Sequence, residues 1–404
     1  MTVAAGTPAG QASLRRHNMA LVLRRIAEAG PISRAGVASQ VGLTKATVSS
    51  LVEDLLEAGL LAEQAPRAQQ RAGRPGTDLV LNSRGPAAVG VEVNVDYMAA
   101  CVVDLAGTVR VNRLERADGR AISAEETLLR AGRLAGACAT AARRRGLRPA
   151  ALTLAVPGIV AEGRVVNAPN LRWSDQPVAE ALSAGLGRRP LPISVDNEAN
   201  LAALAELWHG HGRELSGFLY VSGEIGIGAG LIVDGELFRG ATGFAGELGH
   251  MCADAAGPRC ACGARGCLEC WAGQEALLAA AGLDTARGTR LGAEESPITE
   301  LARRAEAADR AALAALERAG RALGTVLASA VNLLDPGAIV LGGSYADLAP
   351  WIAPPAQEEL AGRVTAGRWR PEALRTSELG AGAAVHGAAS AGVRALLSDP
   401  LAAM

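Results

Sequence analysis

Apolar residues recur at helical spacing near the start of the chain, where Leu14, Leu21, Val22, Ile26 and Ala29 share one face until Gly30-Pro31 ends the run. This predicts a first helix. Ser33 then caps a short second helix through Gln40, Val41-Gly42-Leu43 turns the chain, and Thr44 caps a third helix to about Ala58. On that third helix Val48, Leu51, Leu55 and Leu56 can face a core, which leaves Thr44, Lys45, Thr47, Ser49 and Ser50 toward solvent. The arrangement predicts a helix-turn-helix, and small hydroxyls with one cation at a helix start suit base edges and phosphates in a DNA major groove. The spacing then changes to strand-like. Gly59-Leu60-Leu61 opens a strand, Glu63 to Arg71 is polar, and Thr77 to Leu81 alternates back, so a wing is expected with Arg74 held between Gly73 and Pro75 as a phosphate or minor-groove probe.

Downstream the pattern is that of an α/β protein. Strand-like runs at Gly90 to Val95, Ala99 to Val103 and Val109 to Val111 precede a helix from about Ser123 to Arg145, and a further strand, Ala151 to Val156, ends at Pro157-Gly158. A second copy of the strand pattern at Phe218 to Val221 and Ala229 to Val233 predicts two lobes with a cleft between them. The expected division is a winged helix-turn-helix at residues 1–84, an N-terminal lobe at 85–196, a C-terminal lobe at 197–380, and a last helix at 381–404 packing back on the N-terminal part.

At 404 residues the chain exceeds one hydrophobic core. No apolar run is long enough to cross a bilayer, and Gly6, Pro8 and Gly10 interrupt any leader-like segment, so a cytoplasmic protein is expected. The net charge of -1 excludes a chain that is basic throughout. Met1 to Arg84 nevertheless carries ten Lys plus Arg against six Asp plus Glu, which suits a small nucleic-acid module on a neutral body. Lys45 is the only lysine.

Five of the seven cysteines lie between Cys252 and Cys270. Within that stretch His250, Cys260, Cys262 and Cys267 offer one imidazole and three thiols among glycines, the ligand set of a closed, structural zinc site. Cys252 and Cys270 are spare ligands. Cys101 and Cys138, isolated among apolar residues, read as small core residues.

The run Gly246-Glu-Leu-Gly-His250 followed by Cys260-Ala-Cys262-Gly-Ala-Arg-Gly-Cys267 resembles the signature of the ROK family of sugar kinases and repressors. The head with its Gly73-Arg74-Pro75 wing resembles the winged helix of ROK repressors, and the Asn197-Glu198 pairing looks closer to the family's xylose-type regulators than to its kinases. The resemblance covers about Gly85 to the C-terminus and implies an actin-like ATPase (ribonuclease H-like) body of the sugar-kinase type. It also implies that Asn197, Glu198, Glu247, His250 and Glu269 bind a sugar, with His250 giving one ring nitrogen to the sugar and the other to zinc. Asn170 and Trp173 are weaker candidates, and packing is the expected role of Trp173.

Family kinases carry Asn-Asp-Ala-Asn, with the aspartate as base, where this chain has Asn197-Glu198-Ala199-Asn200, and a misplacement of about 1 Å can cost on the order of a hundredfold in rate. They carry Asp-x-Gly-Gly-Thr where this chain has Glu92-Val93-Asn94-Val95-Asp96, so valine side chains and the Asp96 charge are expected to obstruct a triphosphate. Glu224-Ile225 likewise stands where Gly-Thr is usual, and Leu341-Gly342-Gly343 looks like a nucleotide-side loop. The expected function is a sugar-responsive, non-catalytic DNA-binding regulator, in all expectation a repressor, acting as a homodimer or homotetramer on operator DNA. The alternatives are an ATP-dependent sugar kinase with an added DNA-binding head, and a zinc- or redox-responsive regulator sensing through Cys252 or Cys270.

Overall fold

The computed structural model describes residues 11–64, 77–283 and 296–403. The head comprises α1 (Gln11–Ala29), β1 (Ile32–Ser33), α2 (Arg34–Val41), α3 (Lys45–Glu57), β2 (Leu61–Gln64) and β3 (Asp78–Leu81). Its helix starts are set by side-chain caps. The Ser33 hydroxyl accepts from the Gly36 amide at 3.2 Å, and that of Thr44 accepts from the Thr47 amide at 3.1 Å. Two details differ from the apolar pattern. Residues 12–17 are exposed on all sides, so the first turns of α1, Leu14 included, extend past the core. On α3 it is Val52 that is fully buried, while Leu56 is half-buried at the edge of the packed face. Gly73-Arg74-Pro75 lies outside the described residues.

The N-terminal lobe follows with β4 (Pro86–Val93), β5 (Tyr97–Asp104), β6 (Val109–Arg116), α4 (Ala124–Arg144), β7 (Arg148–Val156), β8 (Ile159–Ala161), β9 (Arg164–Ala168), β10 (Trp173–Pro177), α5 (Ala179–Leu186) and β11 (Ile193–Asn197). The C-terminal lobe contains α6 (Glu198–His209), β12 (Phe218–Gly223), β13 (Ile227–Val233), β14 (Glu236–Phe238), α7 (Glu269–Ala272), α8 (Gln274–Ala280), α9 (Pro297–Glu306), α10 (Arg310–Leu334), β15 (Ile339–Gly343), α11 (Ser344–Arg363) and β16 (Leu374–Thr376). The chain then returns to the first lobe as α12 (Ala383–Ser398).

Each lobe is built on a five-stranded sheet, ordered β11-β7-β4-β5-β6 in the first and β14-β13-β12-β15-β16 in the second. In both, an antiparallel meander of three strands is extended by two parallel strands beside its first member, so the second sheet repeats the topology of the first. Outer helices cover one face of each sheet: α4 and α5 the first, α10 and α11 the second. Between the sheets lie α6 and α12, with Leu201, Ala202 and Ala203 packed among Phe218, Tyr220, Val340, Ala384 and Ala388. These two helices touch at backbone distance, because a Cβ on Gly387 would collide with the Leu201 carbonyl.

The head does not hang on a tether. Its core of Met19, Val22, Leu23, Ile26 and Leu55 is continuous with Ala99, Cys101 and Val103 of β5 and with Val385, Ala389, Val393, Leu396 and Leu397 of α12. Arg148 donates to the Ala58 carbonyl at 2.8 Å across the same seam.

Candidate functional site

A polar cavity of about 190 Å³ opens between the lobes. One side is the β8 hairpin, Gly158 to Ala161. The other is the loop after β14, with Arg239, Thr242, Gly243, Ala245, Gly246 and Glu247, and its floor holds Asp196, Asn197 and Asn200. The floor is ordered by capping. The Asn197 side-chain oxygen accepts from the amides of Ala199 (2.9 Å) and Asn200 (3.1 Å), while its nitrogen donates to the Gly158 carbonyl (2.9 Å) and to Glu198 (3.0 Å). One side chain thus starts α6, ties the hairpin to it and aims Glu198. Burial pushes the Glu198 carboxyl up to about 8, and the nearby Glu92 and Glu247 add to the shift.

Arg239 spans the cavity to Asp196, with Nη1 at 3.0 Å from Oδ1 and Nη2 at 2.5 Å from Oδ2. The pair is bidentate and crosses from the C-terminal to the N-terminal lobe. A second bridge crosses nearby, where Arg120 reaches Glu275 at 2.6 Å and the Asn170 carbonyl at 3.0 Å.

Of the five residues the resemblance assigned to sugar, Asn197 and Glu247 line the cavity. Glu198 lies beneath it near Gly228, 8 % exposed. Glu269 accepts from the Ile227 amide at 3.2 Å and covers Gly226 together with Asn170. His250 stands one turn from Glu247, with Nε2 at 3.8 Å from its carboxylate. Trp173 is buried in the first lobe's core.

The other ring nitrogen of His250 faces the cysteines. Its Nδ1 is 3.8 Å from Cys260 Sγ, Cys262 Sγ is 3.7 Å from Cys267 Sγ, and all four donor atoms lie within 4.8 Å of one another. Zinc at about 2.3 Å from each sulfur would separate tetrahedral sulfurs by about 3.8 Å, so the donor set and its spacing fit a tetrahedral ion. The thiols are free, and the sulfurs stand well beyond the roughly 2.05 Å of a disulfide. Cys252 and Cys270 lie outside this group. Backbone geometry carries the cluster into the cleft: Gly246 has φ 103° and rests on the Ala229 carbonyl, where a Cβ would not fit, so Glu247 and His250 project from a loop pressed onto β13. Glu269, two residues after Cys267, starts α7.

In the head, Thr44, Lys45 and Ser50 are exposed and Thr47 and Ser49 half-exposed at the start of α3. The hydroxyls of Thr44 and Thr47 meet at 2.8 Å.

The ROK family model matches residues 88–393. The chain belongs to the ROK family. Its similarity to the xylose repressor of Bacillus subtilis (strain 168) runs to 30 % identity over 383 residues, covering 95 % of this chain and 96 % of that one. A solved ROK transcriptional regulator described as a homologue of the E. coli MLC protein superposes with a TM-score of 0.76 at 25 % identity, over 96 % of this chain and 98 % of that one. A ROK glucokinase from Streptomyces griseus, solved with glucose and AMPPNP, has a TM-score of 0.63 at 27 % identity and covers 99 % of its own length but 76 % of this chain. The actin-like, two-lobed sugar-kinase fold is thereby established, and the regulators match nearly the whole chain while the kinase matches about three quarters.

Next to Glu198 in the same cleft, the glycine loop at the end of β15 meets carboxylates. Glu224 Oε1 is 2.6 Å from where a Gly343 Cβ would stand. Burial holds the Glu224 carboxyl well above its usual range, and Glu92, Asp96, Glu198 and Asp347 reinforce this. Glu92, 2 % exposed, is pushed up to about 7 by burial although Tyr97 donates to it at 2.6 Å. Val93 and Val95, expected to obstruct this region, are instead buried in the first lobe's core, whereas Asp96 is only half-buried. Sequence reasoning did not single out Asp196, Asn200 or Arg239. Asp196 and Asn200 flank the assigned Asn-Glu pair, which was a usable signal, whereas nothing around Arg239 in the sequence marks it.

Proposed function

We propose that this ROK protein is a sugar-responsive, DNA-binding transcriptional repressor whose kinase-like body senses a monosaccharide and transfers no phosphate. What carries the reading is that one chain joins a capped helix-turn-helix to a two-sided polar cavity, along the length it shares with the xylose repressor of B. subtilis. A ring of hydroxyls needs paired donors and acceptors, and Asn197, Asp196, Asn200, Glu247 and Arg239 provide both from opposite lobes. Glu198, His250 and Glu269 complete the sugar contacts in this reading when the lobes close. Xylose is the first sugar to test.

Zinc is assigned to His250, Cys260, Cys262 and Cys267 as a structural ion. It would cross-link the loops that carry Glu247 and Glu269 and fix the His250 ring, leaving Nε2 toward the cavity. Two features support the absence of phosphoryl transfer. Glu198 occupies the place of the kinases' aspartate, and Glu224 puts a carboxyl against the Gly343 loop, in space that phosphate oxygens would need.

DNA contact is assigned to Thr44, Lys45, Thr47, Ser49 and Ser50, with Arg74 in the wing, and two copies would read two half-sites by symmetry. Because the head shares a core with the first lobe, lobe closure on sugar would reorient the heads of the pair. A coupling of about 1 to 3 kcal/mol changes operator affinity roughly 5- to 150-fold. The test is thermal unfolding against pentoses, hexoses and N-acetylhexosamines, each with and without magnesium ATP, followed by operator binding with the sugar that shifts the melt. Stabilisation by one sugar and none by ATP is expected, at roughly 2.7 kcal/mol for ligand at 100 times its Kd. Sugar-dependent ATP consumption would overturn the reading.

A further inference from the structure

Three adjoining cavities form an arginine-lined groove on the outside of the first lobe, remote from the sugar pocket. The first, about 570 Å³, is lined by Arg84, Val109, Arg110, Arg145, Gly146 and Leu147. The second, about 340 Å³, shares Val109, Arg110 and Arg145 with it and adds Arg113 and Ala141. The third, about 400 Å³, shares Arg113 and Ala141 and continues along α4 past Arg133, Thr140 and Arg144. No aspartate or glutamate lines any of the three. Arg84, Arg113, Arg133 and Arg144 have no carboxylate partner among the described residues, and Arg110 holds the buried Asp104 at 2.9 Å.

The groove follows an open sheet edge. β6 is the last strand of its sheet, paired with β5 on one side and with no strand among the described residues on the other. Val109, 42 % exposed, lines the groove, and Leu114, 64 % exposed, lies further along the same strand. Arg145 donates to the Arg110 carbonyl near the start of the strand; beyond it the open edge offers amides and carbonyls to an extended segment, while flanking charges select the segment's sign.

We propose that this groove docks an acidic, extended segment of a partner protein, which adds as a strand to β6 beyond Arg110 while its carboxylates pair with Arg113, Arg133 and Arg144. Duplex DNA is the less fitting occupant. The groove adjoins the head at Arg84 and at Ala58, the C-terminal end of α3. The thirteen residues of α3, at about 1.5 Å each, set that end about 20 Å from Thr44 and Lys45, where α3 meets a major groove. A partner bound here presses on the seam between head and body, so it is placed to influence the head independently of sugar.

The test uses the full chain, a ten-residue oligoglutamate peptide, a ten-residue oligolysine control and a non-operator duplex. The peptide is expected to bind with micromolar affinity that weakens as salt rises, and to slow amide exchange over residues 109–116. The double variant R113E/R144E should lose at least tenfold in peptide affinity with its melting temperature and operator affinity unchanged. Equal peptide binding by the variant and the native chain would overturn the proposal, as would binding without protection of β6. Displacement of the peptide by the duplex, with the variant losing the duplex as well, would assign the groove to nucleic acid instead.

Discussion

Glu198 is an acid that the fold keeps neutral. Its carboxyl is pushed up to about 8 from 4.5, so between those values the folded chain holds a proton that the unfolded chain has released. Stability therefore falls as pH rises through that window and levels off above it. Glu198→Gln keeps the acceptor for Asn197 and removes the titration. Its melting temperature should match the native protein's near pH 4.5 and exceed it increasingly toward pH 8.5; a difference that does not change with pH would refute the buried neutral acid. Glu92, at about 7, should behave alike over a narrower range. Lys45 allows a second test at this scale, because it is the chain's only lysine and is exposed at the start of α3. An amine-reactive label should modify Lys45 and the N-terminal amine, and operator DNA should protect Lys45. Lys45→Ala should weaken operator binding and flatten its salt dependence by about one unit of slope, as for one lost phosphate contact. Labelling that operator leaves unaltered would take Lys45 out of the interface.

Among the elements, the cysteine loop and its neighbours act as one piece. His250 ends the turn that begins at Glu247, and Cys267 runs straight into the helix that begins at Glu269. Removing the proposed zinc with a strong chelator should therefore loosen both carboxylates and weaken sugar binding by about tenfold or more, a loss of about 1.4 kcal/mol. Binding of operator by the sugar-free protein should change far less, since the head's core lies elsewhere. Titration calorimetry and gel shift on the same chelated sample separate the two, and equal losses would mean that the ion supports the whole fold. This cluster was legible in the sequence because its ligands are close together in the chain and chemically distinctive. Caps were legible for the same reason of locality: Ser33 and Thr44 each bond an amide three residues on. The cavity was legible only in part. Asp196 and Arg239 are 43 residues apart and meet through the packing of two lobes, which no local pattern encodes. The face of α12 was equally hidden, since Gly387 and its alanines acquire meaning only against the backbone of α6.

At the scale of the molecule, α12 connects cleft and head. Near its start it lies on β4, where Gly90 leaves room for the Val385 carbonyl; in its middle Gly387 rests on α6, the helix that carries Asn197 at its cap; toward its end Val393, Leu396 and Leu397 enter the core that α1 closes. The same rigid element is thus packed against the sugar-pocket helix and against the DNA-binding head. If the head is part of that core, trimming the end of α12 should free the head before it unfolds the lobe. Leu396→Ala and Leu397→Ala each remove a buried side chain, at a cost of about 2 to 5 kcal/mol where the site cannot collapse. Amide exchange should speed up across α1, residues 11–29, while α4 on the far face of the sheet stays protected, and operator affinity should fall with every DNA-facing residue intact. Equal loss of protection in α1 and α4 would mean that head and lobe open only together, so that α12 is scaffold and not a link. Unchanged protection in both would mean that the head stands on its own contacts. With the expected result, sugar affinity measured with and without saturating operator should differ in the native protein and lose that difference in the Leu396 variant, because the two binding events influence each other by the same factor in both directions.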